Sequence, residues 1–177
     1  FVVGHSMGAR IALRLAATRG DLVNAVVLED PPLAFGPTIE GHRKVFEFWL
    51  ELCRKGLPES EMAEELLEFN GDGDEDQARY KAQTLKQLEP EVLDLALQKK
   101  LWPGAGFEAE FSQVSCPAML LQSDTACGGV MDDDLSSIEE LNADNWRWKR
   151  FEGVGHSIHY EKTEDYCELI SGFFQNN

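Results

Sequence analysis

The chain has 177 residues, enough for one domain with a sizeable core, and a hydrophobic fraction of 43% with four tryptophans fits a soluble globular protein. Its 32 acidic against 16 basic residues give a formal charge of −16, a surface that repels phosphate backbones and argues against nucleic acid as a partner. No apolar run approaches the ~18 residues of a membrane span, which argues against a membrane partner too. Cys53, Cys116, Cys127 and Cys167 are far apart and form no Cys-x-x-Cys pair. That spacing speaks against a zinc site and fits reduced thiols in a cytoplasmic compartment.

In chain order, Phe1 to Gly4 reads as a short apolar strand and Ala9 to Arg19 as a helix of Ala, Leu and Arg, with Gly20 suited to its end. Between them lies Gly4-His5-Ser6-Met7-Gly8, so Ser6 falls on a very tight strand-to-helix turn. Gly4 and Gly8 are expected there because side chains would collide where strand and helix pass. Val23 to Glu29 is a second buried strand, stopped at Asp30-Pro31-Pro32. The chain has no initiator Met and opens one strand before its best motif, so it is expected to be the C-terminal part of a longer protein.

Residues 33–110 change character. Ile39, Phe46, Trp49, Leu50 and Cys53 keep helical spacing, as do Met62, Leu66 and Leu67, then Leu85 and Leu88, then Val92, Leu93, Ala96 and Leu97. Four short helices without a strand read as an insertion. From Cys116-Pro117 onward, Ala118 to Gln122 is a strand, Asp132 to Asn142 a helix, Asn145 to Phe151 a strand and Glu161 to Phe174 a terminal helix. Strands alternating with helices imply a parallel sheet in an α/β fold. The resulting division is 1–32 core, 33–110 helical insertion and 111–177 core.

A serine hydroxyl needs a base to take its proton, and the base needs a partner that fixes its tautomer. Of four histidines, His156 in Gly153-Val154-Gly155-His156 stands on a glycine loop directly after a strand, where an imidazole would project toward the strand ends. His159 is the reserve, otherwise a packing or capping residue; His5 would point away from the serine, and His42 lies in the insertion. Asp124, at the end of its strand, is the leading acid, and the order Ser, Asp, His agrees with it. Asp30, ending the second strand, and the Asp132-Asp133-Asp134 run remain alternatives. The amide of Met7 points at any oxyanion formed on Ser6. Asp72-Gly73-Asp74-Glu75-Asp76 imitates a calcium loop, but Gln77 and Gln83 stand where Gly and Glu belong, so it reads as an acidic turn and no metal is expected. The alternation of Trp146 and Trp148 is strand packing.

These motifs resemble those of α/β-hydrolase-fold enzymes: Gly-His-Ser-Met-Gly the nucleophile elbow, Val-Leu-Glu-Asp-Pro-Pro the end of the next strand, and Gly-Val-Gly-His the histidine loop. The resemblance spans nearly the whole chain and implies a partial α/β-hydrolase fold, a cap domain in the insertion and N-terminal strands that lie outside this sequence. It makes Ser6 similar to the family's nucleophile, Asp124 to its acid and His156 to its base. The acid strand departs from the family's Gly-x-x-Asp by reading Gln122-Ser123-Asp124-Thr125. The implied activity is hydrolysis of small carboxylic esters or related acyl compounds, with a small-molecule substrate and no cofactor. The alternative is a non-catalytic ligand-binding protein on the same scaffold. Oligomeric state is not legible.

Overall fold

The computed structural model describes residues 1–32, 39–71, 73–101, 107–131 and 144–177. The Asp132–Asn142 helix expected from the sequence, the Asp132-Asp133-Asp134 run and Asp72 of the calcium-like turn lie outside them. Four strands, β1 (Val2–His5), β2 (Val26–Glu29), β3 (Ala118–Gln122) and β4 (Trp146–Arg150), form one parallel sheet in the order β1-β2-β3-β4. The register sets His5 beside Glu29 and Glu29 beside Leu121, so the carboxyl ends of the first three strands are level. In open parallel sheets the strand carboxyl ends are where ligands are met.

Alternation along the strands builds a core on each face. Val26, Leu28, Ala118 and Leu120 pack with Ala9, Leu13 and Ala16 of α1 (Met7–Thr18), joined by Phe111. Val27, Met119 and Leu121 pack on the opposite face with Val154, Ile158, Tyr166 and Phe173. Here α6 is Phe107–Phe111, α7 is Ile158–Glu161 and α8 is Thr163–Gln175. The buried ion pair Arg10–Glu110 (3.4 Å) ties α6 to α1. Trp146 stacks on Phe111, as a packing residue would, whereas Trp148 stays exposed.

The chain divides into two compact units, Phe1–Ala34 with Gly104–Asn177, and Phe35–Pro103. The second unit holds α2 (Arg43–Lys55), α3 (Glu59–Asn70), α4 (Glu75–Gln87) and α5 (Pro90–Leu97). Its own core joins Leu52, Met62, Leu66, Ala78, Ala82 and Leu85. Asp74 caps α4 by accepting from the amides of Asp76 and Gln77, so this acidic turn starts a helix. His42 is the residue before α2. Among the described residues, no helix is long and apolar enough to cross a membrane.

Candidate active site

Ser6 occupies the turn between β1 and α1 with φ 56° and ψ −120°, a strained conformation for a residue with a side chain. Its amide donates to the Glu29 carbonyl (2.9 Å) and its carbonyl accepts from the Ala9 amide (3.0 Å), which pins the turn from both sides. A Cβ on Gly4 would overlap the Gly8 carbonyl and come within 2.7 Å of the Ala9 Cα, so no other residue fits there. At Gly8 an added Cβ meets no described atom within 4 Å. The elbow therefore requires the glycine of the strand, whose neighbour is the backbone of Gly8 and not a side chain at that position. Met7 is the first helical residue. Its amide belongs to the helix N-terminal set that has no intrahelical partner and carries the positive end of the dipole.

His156 lies in the loop after β4, as the glycine pattern predicted, but the carboxylate that meets it is not Asp124. Its Nδ1 stands 2.6 Å from Oδ2 of Asp30. Asp30 follows β2 in a left-handed conformation (φ 41°), is wholly buried, and accepts in addition from the amides of Val130 (2.9 Å) and Ser123 (3.4 Å). Burial pushes its carboxyl up, yet the hydrogen bonds from His156, from Ser123 and from Val130 outweigh that and hold it below the ordinary value. A charged acceptor on Nδ1 leaves the proton there and exposes a lone pair on Nε2.

Asp124 takes a different task. Its carboxylate accepts from the Ala126 amide (3.0 Å) and the Gly153 amide (2.9 Å), and these bonds hold it below the usual carboxylate range. It shapes the glycine loop from below without touching the imidazole. Both aspartates end parallel strands, and only the course of the loop after β3 decides which one reaches His156. Two of the other histidines stand close by and are held differently. His5 Nε2 donates to the His156 carbonyl (2.8 Å), and its ring lies 4.5 Å from that of His156. His159 Nδ1 meets Oε1 of Glu29 at 2.9 Å, and its amide donates to the same oxygen at 3.0 Å.

Sequence reasoning passed over Glu29 as the last residue of an apolar strand. The signal was available: a carboxylate in a strand buried on both faces is almost never left without a partner. It is 1% exposed. Burial pushes it up, but the side chain and amide of His159 prevail and keep it low, while Glu29 in turn raises His159. Burial, and after it the neighbouring His156, lower His5 below the ordinary histidine value. His5, Glu29 and His159 put ligating atoms within 4.8 Å of one another, the one such group among the described residues. Glu29 and His159 already satisfy each other and His5 holds a carbonyl, so the donor set does not ask for a cation.

Solved structures that the chain is similar to include the N-formylmaleamic acid deformylase of Pseudomonas putida S16, at 19% identity and a TM-score of 0.68, covering 96% of this chain and 65% of that one. The E-2-(acetamidomethylene)succinate hydrolase is 18% identical at a TM-score of 0.68, covering 98% and 66%. A thioesterase domain from the curacin biosynthetic pathway is 19% identical at 0.63, covering 96% and 65%. The chain thus spans about two thirds of the length of these structures. No curated protein matches its sequence. The model of the alpha/beta hydrolase family matches residues 1–169, and with the parallel sheet, the elbow at Ser6 and the loop of His156 this places the chain in the α/β hydrolase family.

Proposed function

We propose that the protein is a serine hydrolase of small carboxylic esters or related acyl compounds, working through Ser6, His156 and Asp30. The observation that carries this reading is the 2.6 Å contact of His156 Nδ1 with a buried carboxylate at the strand ends that also carry the Ser6 elbow. His156 Nε2 takes the Ser6 proton as Oγ attacks the substrate carbonyl, and the Met7 amide faces the oxyanion. The imidazolium then protonates the leaving group, whose bond to the carbonyl carbon breaks to give the acyl-enzyme. Water, deprotonated by His156, attacks that ester, and collapse of the second tetrahedral species returns the proton to Ser6 and releases the acid.

Asp30 holds the productive tautomer and compensates the positive charge on the ring. The similar structures, a deformylase, a hydrolase and a thioesterase domain, support an acyl substrate without choosing the leaving group. The test is labelling of the full-length protein by a fluorophosphonate probe together with hydrolysis of p-nitrophenyl acetate. Both are expected to vanish in Ser6→Ala at an unchanged thermal midpoint, and turnover retained in that variant would refute the mechanism.

A further inference from the structure

The three residues read as the triad each have a chain neighbour in a second cluster directly beside them. His5 precedes Ser6, Glu29 precedes Asp30, and His159 follows His156 by three residues. The His159 ring lies edge-on to that of His5 at 5.0 Å and to that of Tyr166 from α8 at 6.1 Å. The Tyr166 phenol is pushed up by burial and by the Glu29 carboxylate, so it stays neutral. The buried Glu29 carboxylate of the cluster is thus met by the His159 ring and by the Tyr166 phenol.

The loop that carries His156 cannot hold itself. Gly153 has φ 68°, and at Gly155 a Cβ would come within 2.8 Å of the Cys127 carbonyl. Its polar backbone groups are held by other elements: the Gly153 amide by Asp124, the Gly155 amide by Glu161 (3.0 Å), the His156 carbonyl by His5 and the His159 amide by Glu29. Asp124 has its side chain 16% exposed, whereas that of Glu29 is 1% exposed. A buried charge-assisted pair is the more rigid tether. Glu29 also shares its strand end with Asp30, so the carboxylate that anchors α7 and the one that meets His156 move together.

We infer that Glu29 is a positioning residue for the hydrolytic reaction: through His159 and the start of α7 it fixes where the His156 ring meets Asp30. This rests on the Ser6–His156–Asp30 reading and adds a residue that touches neither substrate nor imidazole. Displacement of a catalytic group by ~1 Å costs about 100-fold.

In the full-length protein, Glu29→Gln is expected to lower kcat about tenfold to 100-fold with KM within about twofold, and to slow fluorophosphonate labelling in proportion. The far-downfield imidazole proton resonance of His156 Nδ1, read by NMR on histidine-labelled protein, is expected to broaden or shift. His159→Gln is expected to reproduce these losses, and the double variant to add little to either. Should Glu29→Gln fail to fold, His159→Gln carries the same measurements, because the His159 side chain is 38% exposed. Folded variants with unchanged kcat and an unmoved His156 resonance overturn the inference, as do fully additive losses. Asp30→Asn separates the two readings. If it leaves turnover and the resonance intact, the triad assignment falls, whereas a resonance sensitive to Asp30 but not to Glu29 removes Glu29 alone.

Discussion

Replacing Asp30 by Asn removes one charge from a site whose oxygens are all in use. Oδ2 accepts from His156 Nδ1 and from the Val130 amide at 2.9 Å, and Oδ1 accepts from the Ser123 amide at 3.4 Å. If the new amide nitrogen takes the Oδ2 position it opposes the Val130 N–H and forces His156 into the wrong tautomer, a loss of about 10⁴-fold in turnover. If it turns toward Ser123 it gives up only the longer bond and keeps the tautomer, but the ring loses its compensating charge, worth about 10²-fold or more. The two orientations bracket the barrier increase at about 2.7–5.4 kcal/mol, at ~1.36 kcal/mol per decade.

Asp124→Asn changes a carboxylate that serves two amides and not the imidazole, so turnover is expected to fall no more than about threefold, well under one decade of barrier. The assay is kcat/KM on p-nitrophenyl acetate for both variants of the full-length protein, with circular dichroism to verify folding. A larger loss at Asp124 than at Asp30 would refute the reasoning and return the acid to the strand that the sequence first favoured.

Gly4→Ala is expected to destabilise the protein by about 3 kcal/mol or more, or to prevent folding, because its Cβ meets backbone of α1 that cannot rotate away; a cooperative melt within ~1 kcal/mol of the parent would contradict this. Gly8→Ala is expected to be far milder by the same melt, since its Cβ meets no described atom. Stability is expected to peak between about pH 5 and pH 6.5. Asp30 and Glu29 are lowered, so their contribution is full above the ordinary carboxylate range and lost as pH falls through their folded values; His159 is raised, so its contribution is full below about 6.5 and lost as pH rises through its folded value. A thermal midpoint that climbs steadily to pH 8 would sink this, and in Glu29→Gln the alkaline decline is expected to flatten. Residues 1–177 alone leave β1 as a sheet edge with Phe1 and Val3 exposed, so this segment is expected to self-associate in sedimentation; a monodisperse monomer at about 100 µM would argue otherwise.

What the sequence disclosed was what is local. The elbow at Ser6 and the loop of His156 are each written within a few residues, because a glycine needed for close approach or positive φ leaves a visible mark. β2 emerged from a β-branched run and β3 from an apolar one, within three residues of their ends, since both faces of these strands are buried. The acid was not legible in this way. Asp30 and Asp124 both follow buried strands, and the choice between them depends on the path of residues after β3, which bring Val130 onto Asp30 and Asp124 onto Gly153. Gly8 misled in the opposite sense: its place in the motif suggests steric need, yet the crowding is all at Gly4.

The position of the proposed acid decides how the chain can be cut and rejoined. Ser6 and Asp30 lie on one uninterrupted stretch that ends before the second unit begins, and His156 follows after that unit closes. The proposed nucleophile and acid are thus linked by adjacent strands in register, while the proposed acid and base are joined across the β2–β3 and β3–β4 pairings, by the hydrogen bond of His156 with Asp30 and by the Glu29–His159 pair. The helical unit between them behaves as a cassette with its own core. Exchanging it for another helical segment, or for a short linker, leaves every strand that positions Ser6, Asp30 and His156 in its own part of the chain. Recombination at the borders of this unit would therefore keep Ser6, Asp30 and His156 on their own strands and loops while replacing everything inserted between Asp30 and His156 within those borders.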